Sequence, residues 1–375
     1  MAAAVERQKR KTDTNITRFA CFFDIDGVIM KGTNVITKAK LAIQTLVQRR
    51  IPVIFVSNTC MLENEKARQL SLLLGVTIYP EQIVLSQTAM RCLTSFHSKH
   101  VLISGQGDYE KIARLIGFKN LTTVEKVCES FPELDMVDHT HRVQLNELIK
   151  TQGLVRDESF RPIDAIVLFG EPTNWESSLQ VITDLLLTNG NPSMLPEKIP
   201  SPHIPIIACN KDLVFKASAD LPRFGHGAFL TCLEALYKNL TQNELQYTAF
   251  VGKPFEITFQ YAEMMANTLS LASGQGLIEK IYFIGDNPDV DILGANLYNE
   301  HLKLKRSGMN RTYDLLDYDL LSAKECESIL VCTGVYNDTK KNIDVKNILK
   351  RPNVIEDDVS GAVSYILAKE EKSDV

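Results

Sequence analysis

The 375-residue sequence lacks several features that mark particular classes of protein. It contains no run of roughly 18 consecutive apolar residues, so it predicts no membrane span. No long stripe of Lys and Arg is present, and the net charge of −5 gives no reason to expect a nucleic-acid partner. The eight cysteines show no C-x-x-C spacing and lie mostly inside apolar runs. They predict reduced core residues of an intracellular protein rather than a disulfide or zinc framework.

The basic first 17 residues are predicted to be a disordered lead-in. They lack the apolar core of a secretory signal, and the composition favours a cytoplasmic protein. A mitochondrial presequence is the alternative, because Arg7, Arg10 and Arg18 lie close together with two lysines. Glu6 and Asp13 argue against it. The rest of the chain is long enough for two domains.

The stretch FFDIDGVI, Phe22 to Ile29, is the first candidate for chemistry. Apolar residues form a predicted buried strand, Ala20 to Phe23, which runs directly into Asp24 and Asp26. Two carboxylates one residue apart repel, and a cation such as Mg²⁺ would neutralise them. A carboxylate can also attack phosphorus as a nucleophile. Taken alone, the segment is equally compatible with a strand followed by an ordinary turn.

Alternating strands and helices predict an α/β fold with a parallel sheet. Further buried strands are predicted at Pro52–Val56, Lys280–Gly285 and Ile329–Gly334. Glu81 to Phe96 is predicted to be a helix. Polar residues, Ser57 and Asp286, follow the first two of these strands, and the carboxyl ends of parallel strands lie at one edge of a sheet.

Four short segments occur in the order found in the haloacid dehalogenase superfamily. FDIDGV resembles its first motif, VSNT its second, VGKP its third and IGDNPDVDI its fourth. The resemblance extends from Phe19 over nearly the whole chain. It implies a Rossmann-like parallel sheet as the catalytic core and a phosphatase activity that depends on Mg²⁺.

The resemblance implies a role for each acidic residue of the first and fourth motifs. Asp24 would be the nucleophile, and Asp26 would be the general acid and base. The Asp24 and Asp286 carboxylates, with the backbone carbonyl of Asp26, would hold Mg²⁺. Asp291 and Asn287 would orient these metal ligands.

The second and third motifs would bind the phosphoryl group. Ser57 and Asn58 would contact its oxygens, and Lys253 would balance its charge. Taken alone, Ser57 and Asn58 are more typical of a turn, and Lys253 is more typical of a solvated loop lysine.

The insertion between the second and third motifs resembles the type C2 α/β cap of the superfamily's IIA group. We predict a catalytic core at 18–98 and 248–375 and an inserted cap domain at 99–247. The segments GEPTNW, CNKDL, PRFGHGAF and CTGVYN resemble a eukaryotic branch of that group, the cat eye syndrome critical region protein 5 family. Its members are often mitochondrial, and dimers occur in related enzymes, so a homodimer is an expectation.

Four cap residues are candidates for contacting the substrate: Asn210, Asp212, Arg223 and His226. Each has a structural alternative, since Asn210 and Asp212 are also typical of a shaped loop, and Arg223 of a surface ion pair. The sequence thus predicts a Mg²⁺-dependent phosphatase for a small phosphorylated metabolite. The alternative function is a catalytically weak protein that keeps this fold and acts mainly by binding a partner.

Overall fold

The computed structural model describes residues 17–135, 138–153, 156–157, 159–215, 221–307, 320–336 and 346–373. The predicted disordered lead-in lies outside these residues except for Thr17. None of the helices in the described parts of the chain has the length and apolarity needed to cross a bilayer. All eight cysteines are free, and Cys21, Cys209 and Cys326 are buried.

The strands are β1 (Phe19–Phe23), β2 (Met30–Lys31), β3 (Asn34–Val35), β4 (Val53–Val56), β5 (Ile83–Val84), β6 (His100–Ser104), β7 (Asn120–Thr123), β8 (Ala165–Leu168), β9 (Ile206–Cys209), β10 (Val214–Phe215), β11 (Arg223–Phe224), β12 (Ala249–Val251), β13 (Lys280–Gly285), β14 (Glu325–Val331) and β15 (Val354–Glu356). The α-helices are α1 (Ala39–Gln48), α2 (Glu63–Leu74), α3 (Tyr109–Ile116), α4 (Val124–Ser130), α5 (His139–Gln152), α6 (Trp175–Leu187), α7 (His226–Thr241), α8 (Glu256–Ala272), α9 (Leu293–Arg306) and α10 (Val359–Ser373).

The chain divides into two compact units. The first comprises the chain up to Val56, Ala67–Ile83, and the chain from Phe259 onward. The second comprises Ser57–Lys66 and Val84–Thr258. The predicted cap, 99–247, falls wholly within the second unit, which also includes segments on either side of it.

A six-stranded sheet runs through the first unit in the order β15-β14-β13-β1-β4-β5. Strand β1 pairs in parallel with β13 on one side and with β4 on the other. Its five residues are all buried, as expected for a central strand covered on both faces. The chain leaves β1 toward β4 on one side, and β13 lies on the other, so the carboxyl end of β1 is a topological switch point.

The second unit contains a five-stranded sheet in the order β12-β9-β8-β6-β7, and all four pairings are parallel. Apolar residues of β6, β8 and β9 form its core with helices α6 and α7. Trp175 packs edge-on against Phe229, with ring centroids 5.4 Å apart. The predicted α/β fold with parallel sheets is therefore confirmed.

The predicted helix from Glu81 to Phe96 is wrong. This stretch contains strand β5 and three short 3₁₀ segments, at Pro80–Gln82, Thr88–Cys92 and Thr94–Phe96. The Thr88 hydroxyl accepts a hydrogen bond from the Leu85 N–H at 2.8 Å. Such local side-chain bonds compete with helical hydrogen bonds, and the β-branched pair Ile83–Val84 favours a strand.

Candidate active site

Asp24 begins the loop after β1, at the carboxyl end of the central strand. Its backbone N–H donates to the Ile284 carbonyl at 2.9 Å, which continues the pairing with β13 for one residue beyond the strand. Asp286 follows β13 directly. The register of two neighbouring parallel strands thus brings Asp24 and Asp286 to the same edge of the sheet.

Three carboxylates lie together at this edge and form what we call the carboxylate cluster: Asp24, Asp286 and Asp291. One oxygen from each lies within 4.8 Å of those from the other two. The three side chains are buried, with exposed fractions of 6%, 3% and 1% respectively. Buried like charges at this separation need a cation or strong donors to stay ionised.

Asp291 is held by the backbone of the fourth motif. Its Oδ2 accepts hydrogen bonds from the N–H groups of Asp286 and Asn287, both at 3.1 Å. The Asn287 side chain accepts from the Asp289 N–H at 2.9 Å and caps the one-turn π-helical segment Pro288–Ile292. Asn287 therefore fixes the turn that carries Asp291.

The segment after β14 encloses Asp286, and none of the predicted site residues lies in it. The Val335 N–H donates to Asp286 Oδ2 at 2.5 Å, and the Thr333 hydroxyl donates to the Gly27 carbonyl at 2.5 Å. A Cβ added to Gly334 would lie 1.9 Å from Asp286 Oδ2. One sequence feature could have indicated this segment. The predicted strand Ile329–Gly334 overlaps β14, which neighbours β13 in the same parallel sheet, so the residues at its end lie at the same edge as Asp286.

Asp26 is exposed, whereas Asp24 is buried. Strand β1 ends at Phe23, so the alternation of a strand does not extend to these two aspartates. Gly27 has a positive φ of 93°, and its N–H donates to the Met30 carbonyl at 2.7 Å. This turn carries Asp26 away from the strand. The metal ligand predicted from Asp26 is its backbone carbonyl, so the exposure of its side chain does not bear on that prediction.

Ser57 and Asn58 belong to the second unit, where Asn58 links three loops. The Asn58 amide donates to Asp212 Oδ2 at 3.0 Å and to the Lys253 carbonyl at 2.9 Å. Its Oδ1 accepts from the Lys253 N–H at 2.7 Å, and its backbone carbonyl accepts from Asn210 at 3.1 Å. We call these residues the Asn58 junction: Asn58, Asn210, Asp212 and Lys253.

The Asn58 junction unites predicted residues from the core motifs and from the cap. Lys253 is 2% exposed and Asn210 is 7% exposed. Asn210 Oδ1 also accepts from the Asp212 N–H at 3.2 Å. Ser57 is buried as well, and its Oγ lies 3.2 Å from the Thr59 hydroxyl. Asn210 and Asp212 thus have structural roles in shaping the loop after β9.

Arg223 and His226 lie outside the junction in different surroundings. Arg223 is exposed on the two-stranded β10–β11 ribbon, and its Nε donates to the Pro222 carbonyl at 3.0 Å. His226 is 2% exposed, and its Nδ1 lies 3.0 Å from the Cys209 carbonyl. Burial lowers the pKa of His226 to about 4. The imidazole is therefore neutral near pH 7 and supplies no positive charge to a phosphate.

Cys60, close after Ser57 in the chain, is not an activated nucleophile. Burial and the carboxylates of Glu63 and Glu171 raise the pKa of its thiol to about 12. Only the thiolate is strongly nucleophilic, so this cysteine is inert near neutral pH.

The carboxylate cluster fits a hard divalent cation. All its donors are oxygens, they are mutually close, and Mg²⁺ and Ca²⁺ prefer carboxylate oxygens. Asp286 Oδ2 and Asp291 Oδ2 already accept backbone hydrogen bonds, which fix both side chains before any ion binds. Such outer hydrogen bonds to ligating carboxylates are typical of metal sites.

Comparisons with known proteins show what the chain is similar to. Residues 21–119 match the model of a family described as haloacid dehalogenase-like hydrolase. A mitochondrial hydrolase of Saccharomyces cerevisiae is 28% identical over 359 residues, which cover 90% of this chain and 98% of the relative. This relative fits the eukaryotic branch that the sequence resembles.

Solved structures share the fold. A p-nitrophenyl phosphatase from Archaeoglobus fulgidus superposes with a TM-score of 0.58 at 17% identity, over 93% of this chain and 99% of that one. A glycerol phosphate phosphatase from Mycobacterium tuberculosis, in complex with magnesium, gives a TM-score of 0.52 at 20% identity, over 91% and 76%. At these identities the likeness concerns the fold alone. The family match over residues 21–119 shows that this part of the chain is similar to haloacid dehalogenase-like hydrolases, and the yeast relative shows that the chain is similar to a hydrolase over most of its length.

Proposed function

We propose that this protein is a Mg²⁺-dependent phosphatase that hydrolyses the phosphate ester of a small metabolite. The observation that carries the proposal is the carboxylate cluster at the carboxyl ends of β1 and β13. A buried group of three acidic side chains is costly to the fold unless it serves a cation, and phosphoryl transfer uses a cation for charge stabilisation.

Asp24 is the proposed nucleophile. Its carboxylate oxygen would attack phosphorus, and the bond from phosphorus to the leaving oxygen would break in line with the attack. Asp26 would give a proton to that leaving oxygen, for which its exposed position is suited. Asp26 would then take a proton from a water that attacks the aspartyl-phosphate, and this second step would release inorganic phosphate and restore Asp24.

The proposed metal ligands are the Asp24 and Asp286 carboxylates and the Asp26 backbone carbonyl. When bound, Mg²⁺ would neutralise the charge that develops on the transferring phosphoryl group. Asp291 would orient these metal ligands, because its carboxylate accepts hydrogen bonds from the backbone N–H groups of Asp286 and Asn287. Ser57, Asn58 and Lys253 are the proposed phosphate-binding residues, as the family resemblance implies.

The experiment is a phosphate-release screen of the purified protein, with and without Mg²⁺. The panel contains p-nitrophenyl phosphate, glycerol phosphates, sugar phosphates and nucleoside monophosphates. The first two compounds correspond to the names of the two solved phosphatases. We expect release that requires Mg²⁺ and falls by at least roughly 1000-fold in Asp24→Asn, because the variant lacks the nucleophile.

Asp289→Asn is the matched control. Asp289 lies in the fourth motif, but its side chain is 70% exposed and pairs with Lys350 at 2.8 Å. This variant should keep the wild-type rate. If neither the wild type nor the control released phosphate above the level of Asp24→Asn on any compound, the phosphatase proposal would be wrong. The binding-protein alternative would then take its place.

We further propose a mitochondrial location in place of the cytoplasmic expectation. The support is the name of the yeast relative, which is called mitochondrial. Import of the full chain into isolated mitochondria, followed by protease treatment, tests this location. The expected homodimer is tested by measuring the molar mass of the protein by light scattering as it elutes from a size-exclusion column.

A further inference from the structure

A small cavity of about 110 Å³ lies at the carboxyl edge of the sheet in the second unit. Its lining comes from the loop after β6, the loop after β8 and the start of helix α4. None of the residues to which the proposed phosphatase chemistry assigns a role lines it. The polar side chains that line it are Ser104, Gln106, Tyr109, Glu125, Thr173, Asn174 and Ser178.

The position of the cavity follows from the strand order. Numbered along the chain, the five strands are arranged 2-1-3-4-5, with β6 first and β8 third. The connections leave β6 and β8 in opposite directions, so a crevice forms between their carboxyl ends. Parallel α/β sheets of this order bind ligands in that crevice.

Ser104 supplies a second, independent observation. This last residue of β6 lines the cavity and is 2% exposed. Its hydroxyl has no hydrogen-bond partner among the described residues. A buried hydroxyl without a partner is costly, and such a group is expected to be satisfied by a ligand or by water.

The backbone supplies hydrogen-bond donors at the same place. Helices α3 and α6 both begin at the cavity, at Tyr109 and just after Asn174. Neither N-cap side chain, Asp108 or Asn174, accepts a hydrogen bond from its helix. The first N–H groups of a helix have no partner within the helix and can donate to a ligand.

The side-chain charge at the cavity is negative. Glu125 is the one charged side chain that lines it, and no Lys or Arg among the described residues does. Burial and the carboxylates of Glu125 and Glu110 raise the pKa of Tyr109 to about 12. The two helix N-termini favour negative charge, and the Glu125 carboxylate already supplies it, so a neutral hydroxyl that donates to Glu125 and accepts from serine hydroxyls and helix N–H groups fits here better than a second anion.

We propose that this crevice is a binding site for a small neutral polyhydroxyl compound of about three carbons. A water occupies about 30 Å³ of the liquid, so the cavity holds about three to four waters or a molecule of that size. The site uses both donors and acceptors, which a polyol satisfies and an inorganic anion does not. The proposal does not depend on the phosphatase activity.

The test uses three probes with similar three-carbon skeletons and different charge: glycerol, glycerate and 2-amino-1,3-propanediol. Binding is followed by NMR on full-length protein labelled with ¹⁵N-glycine, which reports on Gly105 and Gly107 at the cavity. We expect saturable shifts of these two signals with glycerol, in the millimolar range typical of very small ligands. Glycerate should bind at least about tenfold more weakly because of Glu125.

Ser104→Ala should weaken glycerol binding about tenfold, since one buried hydrogen bond is lost. Without ligand, this variant should melt no lower than the wild type, because the deleted hydroxyl has no protein partner in the described structure. Ser177→Ala is the matched control on the same helix as Ser178. Its hydroxyl donates to Asp135 rather than lining the cavity, so binding should be unchanged.

Three results would overturn the proposal: no saturable shift with glycerol, equal shifts in wild type and Ser104→Ala, or tighter binding of glycerate. Tighter binding of the aminodiol that disappears in Glu125→Gln would instead identify a cation site and would also contradict it. The polyol in this site could be the alcohol part of a phosphatase substrate or a free compound. Phosphate release measured with added glycerol distinguishes these two sources. Competitive inhibition indicates the alcohol part of a substrate, and an unchanged rate indicates a free polyol.

Discussion

The Asp286 carboxylate lies in the space that a side chain at Gly334 would occupy. A Cβ on Gly334 would come within 1.9 Å of Asp286 Oδ2 and within 2.8 Å of the Gly27 Cα. The next residue, Val335, donates its N–H to the same oxygen. The turn after β14 therefore determines where one of the three clustered carboxylates can point.

We expect Gly334→Ala to displace Asp286 from the carboxylate cluster. The added methyl group meets a carboxylate that is enclosed by backbone, so the side chain must rotate or the turn must shift. Disturbing the groups that orient a metal ligand typically costs about 10- to 100-fold in metal affinity. Titration calorimetry with Mg²⁺ measures this loss directly, and Mg²⁺-dependent phosphate release should fall in parallel.

Gly170→Ala is the control for this substitution. Nothing lies within 4 Å of a Cβ added to Gly170, and its backbone is not in the left-handed region. The control should bind Mg²⁺ as the wild type does. Unchanged Mg²⁺ affinity in Gly334→Ala would show that the turn adapts and that Gly334 does not control the site.

Asn58→Ala should destabilise the second unit by about 2–3 kcal/mol. The substitution removes two donated hydrogen bonds and the acceptor of the buried Lys253 N–H, and an orphaned buried donor costs about 1–3 kcal/mol. Urea unfolding followed by circular dichroism measures the change. Asn120→Ala removes one exposed bond to the Ser98 carbonyl and should cost less than about 0.5 kcal/mol. Equal effects of the two substitutions would remove the special role of Asn58.

The sequence predicted the positions of Asp24 and Asp286 because both depend on local patterns. Each follows a run of buried residues, and parallel strands place their ends together. It did not predict the Asn58 junction, whose hydrogen bonds link residues 152, 154 and 195 positions apart. Contacts across such distances arise from tertiary packing and leave no periodic signal.

The wrong helix at Glu81–Phe96 has a related cause. Its apolar spacing resembles a helix, but the side chains are fixed by partners elsewhere in the chain. Gln87 donates to the Met61 carbonyl at 2.7 Å, and Thr88 donates to Glu63 at 2.9 Å. Hydrogen bonds of this kind override helix propensity, which is worth only tenths of a kcal/mol per residue.

His226 should make the protein less stable in mild acid. Its pKa is lowered from 6.5 to about 4 by burial in the folded protein, whereas the unfolded chain keeps the ordinary value. Between these two values the unfolded state binds a proton that the folded state does not, so stability falls as the pH drops from 6.5 toward 4. The full loss is about 3 kcal/mol. Urea midpoints measured across this pH range should fall less steeply in His226→Gln than in the wild type.

His139→Gln is the comparison for the His226 profile. His139 is exposed at the start of helix α5, so its replacement should leave the pH profile parallel to that of the wild type. Parallel profiles for His226→Gln as well would mean that the buried imidazole does not contribute to acid sensitivity.

Glu327 is the centre of a buried ionic network in the first unit, and its loss should be severe. It is 4% exposed, and it accepts from Tyr365 at 2.7 Å and from Lys369 at 2.8 and 2.9 Å. Burial alone would raise the pKa of Glu327, but hydrogen bonds from Lys369, Tyr365 and Lys280 outweigh it, and the pKa is lowered. The ionised form therefore stabilises the fold above the ordinary glutamate pKa, and this stabilisation is lost as the pH falls below it.

Glu327→Gln should consequently lower the free energy of unfolding at pH 7 by about 1–3 kcal/mol, because Lys280 loses the carboxylate 3.1 Å away and keeps only those of Glu325 and Glu370, both at 3.8 Å. Urea unfolding gives the change. Glu129→Gln removes the carboxylate of an exposed pair with Lys126, whose side chains are 66% and 69% exposed, and should cost less than about 1 kcal/mol. If the two substitutions had the same small effect, the network would be dispensable, and packing of α10 against the sheet would have to stabilise this edge without it.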